Sequence, residues 1–551
     1  VKHEEATMPS TLTHTRRTTA RARDAAILAA TLAAACATAM PAWAQAPDCA
    51  GFAAKTPSGV TLQTEAIAAD SVRPPGVNSG PMLAAHCRVS GRMGERTGVD
   101  GKPYHTGFEL RLPTQWNGRL LYQGGGGNDG VVRPAVGPQA APGYALNRGF
   151  AVVTTDAGHQ GPTADFGNDP QARVDNAYAA HDRVAVLAKD LVRRFYSRPA
   201  DRAYFIGCSG GGRQGMMFTQ RFPQHFDGVI AIAPAMRVSK GATIAAAWDT
   251  QLLQSVAPAG PDGQKVLSRA LSDADLGVLR QGILDACDAQ DGLVDGLVSN
   301  PAACRFDVAT LACSGARTQA CLSAPQVSAL QKMFAGPRNS AGQALYFTWP
   351  WDAGIGHPAN DWRMWRLGNS QTAQANSRHV FLMQDALQGY FVTPPDRKLS
   401  IYRFDFDRDP ARMDAHSWMF DTADDVKLSG FRARQGKLLF AHGMADAIFS
   451  ADEMVDYYKR LQAEHGAATG DFARLFLIPG MGHCQGGAAT DTWDGLGALV
   501  DWVEKGIAPQ RIVARGSTVF PNRSRPLCAW PQYAHYNGSG DPEDAANFSC
   551  R

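Results

Sequence analysis

Short, mainly apolar runs set the rhythm of this chain. Residues 119–123, 150–154, 203–206 and 228–233 each suit a buried strand. Residues 177–195 carry apolar positions at helical spacing, and Met216, Met217, Phe218 and Phe222 do the same until Pro223 ends the run. Strand, helix, strand, helix, strand is the order of a parallel sheet covered by helices. The rhythm stops near Ala235 and gives way, as far as about Gly430, to a stretch rich in Trp, Cys, Gly and Pro. It resumes with strands at 437–442 and 473–478 and helices at 452–464 and 492–505. One sheet is therefore interrupted by an insertion, predicted to form a lid over the carboxyl edge of the strands, where open α/β sheets bind ligands. Residues 51–109 give mixed signals, with Gly and Pro breaking short β-like runs. The chain divides into a leader over 1–44, a first core segment over 45–235, a lid over 236–432 and a second core segment over 433–551.

At 551 residues and 44% hydrophobic content, the chain can bury a large core. The leader reads as an export signal: basic Arg16, Arg17, Arg21 and Arg23, an apolar run over 25–39, then Ala42-Trp43-Ala44 as a cleavage site, with a mature start near Gln45. The run is alanine-rich and short for a membrane anchor. Lipid attachment at Cys36 is an alternative, and the Arg16-Arg17 pair leaves both the general and the twin-arginine export routes open. Removing the five basic and three acidic residues of the leader lowers the formal charge from +3 to +1. A nearly neutral chain gives no reason to invoke nucleic acid, and no further long apolar segment implies stable membrane insertion. The expected location is periplasmic or extracellular; no feature sets the oligomeric state.

Cysteine usage agrees with export. Without Cys36 ten remain, an even number suited to disulfides in an oxidising compartment, although sequence alone leaves the pairing open. Proximity along the chain favours Cys49 with Cys87, Cys287 with Cys304, Cys313 with Cys321 and Cys528 with Cys550. Cys208 and Cys484 are left, and they flank the two residues of greatest chemical interest.

The first is Ser209. Gly207-Cys208-Ser209-Gly210-Gly211, between a strand and a helix, has the form of a nucleophile elbow, in which a tight turn exposes a serine hydroxyl above the sheet. A serine needs an imidazole to take its proton and a carboxylate to hold that imidazole's tautomer. Asp446 and His483 follow the 437–442 and 473–478 strands, in the order Ser, acid, His and at the edge that presents Ser209. Rival residues have simpler uses. Asp452 suits a helix cap, His442 a satisfied loop histidine, His465 a helix end, and Asp156 with His159 a fixed loop. The loop Gly124-Gly125-Gly126-Gly127-Asn128-Asp129-Gly130 follows the 119–123 strand and could supply backbone donors to an oxyanion; the alternative is a plain turn. If Ser209 and His483 meet, a Cys208–Cys484 disulfide would tie the elbow to the histidine loop.

A second cluster lies in the insertion. Asp288, Asp291 and Asp295 are interleaved with Gly292 and Gly296, and carboxylates so close together repel unless a hard cation gathers them. Ca²⁺ suits them, against the alternative of a solvated acidic turn. The spacing is not that of an EF-hand.

Cys208-Ser209, Asp446 and His483-Cys484 resemble the hallmark of the tannase and feruloyl esterase family. The resemblance extends over nearly the whole mature chain, including Asp405-Phe406-Asp407 and Gly538-Ser539-Gly540-Asp541, and is nearest to members that cleave a terephthalate monoester. It implies an α/β-hydrolase fold with a large inserted lid, the five disulfides named above, and a structural Ca²⁺ in the lid held by Asp288, Asp291 and Asp295 with the carbonyls of Leu293 and Leu297. No organic cofactor is implied. By the same resemblance the oxyanion donors are Gly127 and Gly210, Arg378 faces a substrate carboxylate, and Trp365 and Phe449 flank its ring. Gly210 stands where those members carry an acidic residue, and Leu382 where they carry a phenylalanine. The implied activity is that of a secreted serine esterase acting on small aromatic-acid esters. Galloyl esters, as for a tannase, are the alternative; a serine peptidase or a non-catalytic ligand-binding homologue are the readings of another class.

Overall fold

A computed structural model describes residues 48–551 apart from 76 and 141. The expected leader, its cleavage site and Cys36 lie outside the described residues. The chain builds a nine-stranded sheet from β1 (Val60–Ile67), β2 (His86–Thr97), β3 (Pro103–Pro113), β4 (Arg119–Gln123), β5 (Ala151–Thr155), β6 (Arg202–Cys208), β7 (Gly228–Ile232), β8 (Lys437–Gly443) and β9 (Ala473–Ile478), in the spatial order 1-2-3-5-4-6-7-8-9. β1, β2, β3 and β5 pair antiparallel; from β5 across to β9 the pairing is parallel.

The parallel strands are short and buried on both faces, which is why they read as continuous apolar runs. Their side chains alternate between two cores. Phe205 points to the layer of the helices Ala180–Tyr196 and Ala451–His465, whereas Tyr204 and Ile206 face Leu496, Leu499 and Trp502 of the helix Gly495–Lys505. Residues 51–109, mixed by sequence, contain three long antiparallel strands. β1 alternates half-buried and exposed positions, and β2 carries a register shift between Met93 and Arg96, so neither shows an unbroken apolar run.

Two boundaries differ from expectation. The helix expected over 492–505 begins only at Gly495, because Asp494 caps it by accepting from the Gly497 N–H at 2.8 Å, while Thr492–Trp493 forms a short strand. Ser450, rather than Asp452, is the N-cap of the helix Ala451–His465.

Chain order reverses at β4: the connection runs outward to β5 and then returns to β6 on the other side. The loops that leave β4 and β6 therefore emerge side by side, with Gln123 paired to Ile206. The insertion between β7 and β8 is mainly helical and contributes no strand to this sheet. It packs into the same compact unit as the sheet, in a cluster that joins Leu279, Trp362 and Trp365 to Ala445, Ala447, Ile448 and Phe449 of the loop after β8. Within it Arg366 and Asp249 are both fully buried, with Nη1 2.7 Å from Oδ2 in an ion pair poorly aligned as a hydrogen bond. Arg366 also donates from Nε to the Ala447 carbonyl at 3.2 Å and lies over the rings of Trp349 and Trp362.

A buried cation stripped of its partner is costly. Asp249→Ala should destabilise the protein by about 3–5 kcal/mol in denaturant unfolding, and pairing Asp249→Leu with Arg366→Met should recover most of that loss. Equal stability of Asp249→Ala and the wild type would contradict the pair's role.

Candidate active site

Ser209 sits at φ +63° and ψ −125°, between β6 and the helix Gly210–Arg221. Its N–H donates to Ile232 O of β7 at 3.0 Å, and its carbonyl accepts from Arg213 N–H at 3.0 Å and Ala235 N–H at 3.2 Å. Backbone crosses backbone on both sides of this turn. A Cβ on Gly207 would lie 2.4 Å from the Gly211 carbonyl, and one on Gly211 would lie 2.7 Å from Gly125 O. Gly210 is different: its Cβ would meet Gly126 Cα at 3.4 Å and Gly127 N at 3.6 Å, ordinary contacts.

The glycine loop after β4 is tied down group by group. Gly124 N–H donates to Ile206 O at 2.8 Å, Gly125 N–H to Gln214 Oε1 at 2.9 Å, and Gly126 N–H to Asp129 Oδ1 at 2.7 Å. Gln214, on the helix that follows Ser209, closes the circuit by donating to Asp129 Oδ2 at 2.8 Å. The N–H groups of Gly127 and Asn128 have no protein acceptor among the described residues. Gly210, as the first residue of its helix, also has an N–H with no intrahelical acceptor. Open amides therefore gather beside the serine.

The loops after β8 and β9 bring Asp446 and His483 together. Asp446 Oδ1 accepts from the N–H groups of Ile448 at 2.8 Å and Phe449 at 3.1 Å, and Oδ2 lies 2.8 Å from His483 Nδ1. His442 Nε2 approaches the same oxygen at 3.4 Å and Phe449 O at 3.0 Å; two acceptors there put the His442 proton on Nε2. Burial alone would raise the Asp446 carboxyl, but the charge of His483 and the hydrogen bonds of both imidazoles outweigh it and hold the group well below the usual carboxylate range. With Nδ1–H directed at Asp446, His483 keeps Nε2 free as a base. A ring nitrogen of His483 lies within 4.8 Å of both sulfurs of the Cys208–Cys484 disulfide, so base and elbow are neighbours.

The imidazole stands edge-on to Trp365 at 5.2 Å and 5.5 Å from Phe449. Both rings line a narrow pocket together with Ser209, Gly127, Gly210 and Leu382. Arg378 does not line it. Its guanidinium lies 5.0 Å over the Trp365 ring and donates to Asp361 Oδ2 at 2.9 Å. Asp361 carried no signal in the sequence, yet it also accepts from Trp365 Nε1 at 2.7 Å and from the His483 N–H at 3.3 Å. A second pocket, lined by Leu297, Met444 and Leu527, holds none of Ser209, Asp446 or His483. Of the rivals, Asp156 accepts the Gly107 and Gly158 N–H groups and His159 meets Asn128 O, both fixing loops, while His465 meets Val426 O.

The acidic loop of the insertion is compact. Gly292 and Gly296, at φ +92° and +87°, let it turn twice, and Asp288 and Asp291 are each 4% exposed with no Lys or Arg ion pair among the described residues. Asp288 accepts from Asp295 and Gly296 N–H, Asp291 from Leu293 and Ser299 N–H, and Asp295 pairs with Arg525. Burial, with the Asp295 charge adding to it, pushes Asp291 up to about 7 and raises Asp288 as well. Two desolvated carboxylates without a cation, in a set of hard oxygen donors, fit Ca²⁺. The three carboxylates are not mutually within 4.8 Å; oxygens facing each other across Ca²⁺ are themselves about 5 Å apart. The remaining disulfides join Cys49 to Cys87, Cys287 to Cys304, Cys313 to Cys321 and Cys528 to Cys550.

Residues 87–551 match the sequence family described as "Tannase and feruloyl esterase". The chain is 45% identical over 528 residues to mono(2-hydroxyethyl) terephthalate hydrolase of Piscinibacter sakaiensis, covering 86% of each chain. It is 30% identical over 479 residues to a probable feruloyl esterase B-1 of Aspergillus fumigatus, covering 80% of this chain and 82% of that one. The crystal structure of feruloyl esterase B from Aspergillus oryzae superposes with a TM-score of 0.76 at 24% identity, over 91% of this chain and 99% of that one, which shows the shared α/β-hydrolase fold.

The glycine contacts predict an asymmetry. Gly207→Ala and Gly211→Ala should each destabilise the protein by about 3 kcal/mol or more, because the obstacle is backbone, whereas Gly210→Ala should stay within about 0.5 kcal/mol of wild type in denaturant unfolding. Similar losses at all three positions would refute the steric account of the elbow.

Proposed function

This chain belongs to the tannase and feruloyl esterase family and is a carboxylic ester hydrolase acting on aromatic esters; we propose that Ser209, His483 and Asp446 carry the reaction. The observation that carries this reading is the Asp446–His483 contact at 2.8 Å, set against the elbow by the Cys208–Cys484 bridge. Ser209 Oγ attacks the ester carbonyl carbon as its proton passes to His483 Nε2. The carbonyl oxygen becomes an oxyanion held by the Gly127 and Gly210 N–H groups. His483 then gives the proton to the departing alkoxide, leaving an acyl-serine. Water, deprotonated by the same nitrogen, attacks the acyl carbon and releases the aromatic acid. Asp446 keeps the imidazole in the required tautomer and stabilises its cation.

Trp365 and Phe449 offer an aromatic slot for the acyl ring, which favours a planar aromatic acid. One relative is named for a terephthalate monoester and another for feruloyl esters, and both acyl groups suit such a slot. Arg378, half exposed at the edge of Trp365, is placed to meet a distal carboxylate if it leaves Asp361. Ca²⁺ is a structural ion in the lid, held by Asp288, Asp291 and Asp295 with the carbonyls of Leu293 and Leu297; no chemical step uses it. Five disulfides agree with a protein exported to the periplasm or the medium.

Ser209→Ala should lose turnover by about 10⁴-fold or more while keeping the wild-type melting curve, and a fluorophosphonate should label the wild type at Ser209 alone. Turnover at the wild-type rate in that variant rejects the assignment. A panel of feruloyl, galloyl and terephthaloyl monoesters, with the free carboxylate present or methylated, ranks the substrates. Arg378→Ala should raise KM for the carboxylate forms alone, and an equal effect on the methylated forms removes Arg378 from carboxylate recognition. EGTA should lower the melting temperature and added Ca²⁺ restore it, with the response lost in Asp291→Asn; a melt indifferent to EGTA rules out the ion.

A further inference from the structure

Asn128 follows Gly127 in the glycine loop, and its side chain is held entirely from outside that loop. Nδ2 donates to Asp385 Oδ2 at 3.1 Å and to Pro162 O at 3.2 Å, while Oδ1 accepts from the Tyr390 hydroxyl at 3.1 Å. Its backbone carbonyl accepts from His159 Nε2 at 2.8 Å and Asn176 Nδ2 at 3.2 Å. Asp385 and Tyr390 both belong to the insertion. Asp385 is itself fixed by the Ala164 N–H at 2.6 Å and by Arg397 at 3.2 Å, and the Tyr390 ring packs between Phe166 and Phe420.

The loop needs such holding. Gly127 and Asp129, on either side of Asn128, sit at φ +65° and +59°, and a non-glycine residue in that region is strained. On the sheet side, Gln214 and Asp129 tether Gly125 and Gly126. The peptide that carries the Gly127 N–H is held at its Gly126 carbonyl by the Asp129 N–H at 3.2 Å; Gly127 makes no further hydrogen bond among the described residues, and on its other side the chain is fixed through Asn128.

We infer that Asn128 is a positioning residue for the oxyanion hole, and that the insertion, through Tyr390 and Asp385, shares with Asp129 in fixing the direction of the Gly127 N–H. The inference rests on the reading of Gly127 as an oxyanion donor. Donors stabilise a developing charge best when they are aligned before it appears, so loosening Asn128 weakens the tetrahedral state more than it weakens the binding of a flat aromatic acid between Trp365 and Phe449.

Asn128→Ala and Tyr390→Phe, made in the full chain, test this. For each, kcat and KM on one aromatic ester are measured together with the affinities for an arylboronic acid, which forms a tetrahedral adduct on the serine oxygen, and for the aromatic acid product. The expected result is a fall in kcat/KM of about 10–100-fold for Asn128→Ala and less for Tyr390→Phe, below the loss from deleting a donor outright. Boronate affinity should fall in parallel while product affinity stays within about twofold. Because both changes break one contact, Tyr390→Phe should add nothing in the Asn128→Ala background. Unchanged boronate affinity, product affinity that falls with it, or additive losses overturn the inference. If Asn128→Ala does not fold, Tyr390→Phe alone decides by the same boronate-to-product comparison. Fluorophosphonate labelling separates the two levels of failure. An unlabelled wild type defeats the serine-esterase reading itself, whereas labelled variants with wild-type kcat defeat only the role of Asn128.

Discussion

Two turns of backbone pressed against each other, at the ends of β4 and β6, set the frame for the site. Gly124, Gly125, Gly207 and Gly211 approach so closely that a Cβ on Gly207 or Gly211 would meet carbonyl atoms at 2.4–2.7 Å. The approach follows from the sheet: reversal of chain order at β4 makes β4 and β6 neighbours, and their register brings both loops out at one level. Ser209 is then forced to a left-handed φ, and that strain persists because Ile232 on one side and Cys484 on the other hold the turn. Open amides beside the serine are a by-product of the same packing. β8 and β9 have only to deliver Asp446 and His483 to a position already defined.

Electrostatics ties the insertion to this frame. Asp446 is 4% exposed, an environment that opposes its charge, and it remains ionised because two imidazoles and two backbone N–H groups converge on its oxygens. Part of the wall that excludes water is the insertion, through Trp362, Trp365 and the Arg366 that grips Ala447. Low local dielectric strengthens the Asp446–His483 contact and makes any unpaired neighbour expensive. Arg366 meets that cost with Asp249, deep in the insertion. The cover over the site thus conditions the acid as well as the access.

What could be read from the sequence followed from how completely each element is buried. β6, β7, β8 and β9 are covered on both faces, so their apolar runs were plain, and order and placement at strand ends pointed to Asp446 and His483, which the structure brings together at 2.8 Å. β1 and β2 were obscured because one face of each meets solvent and a bulge breaks the alternation of β2. The helices of the insertion were lost among its Trp, Gly and Pro residues, where tertiary packing rather than local periodicity fixes the chain. Asn128, Asp361 and His442 share a further reason. Asn128 and Asp361 act through contacts to residues distant in sequence, and His442, at the end of β8, through the loop that follows it; a lone Asn, Asp or His carries no spacing that would announce them. His442 was legible only as a satisfied loop histidine, whereas it shares the Asp446 oxygen with His483.

Chemistry and selectivity are built from different materials here. The reacting groups stand on strand ends and glycine turns that tolerate little change. Part of the pocket wall comes from the insertion, through Trp365, Leu382, Met383, Tyr390 and Phe420, and the Gly210 Cβ direction on the core side is sterically open. Arg378 illustrates how loosely such a wall determines preference. It is 48% exposed and bound to Asp361, and exposed ion pairs contribute only about 0–1 kcal/mol. Exchange of Asp361 for another carboxylate therefore costs little, since one carboxylate replaces another beside a half-exposed guanidinium. An uncharged acyl group leaves the pair intact and loses nothing. Asp361 also holds two other bonds, from Trp365 Nε1 and the His483 N–H. Those bonds make Asp361, more than Arg378, the residue that links the Trp365 ring of the pocket wall to the backbone of His483.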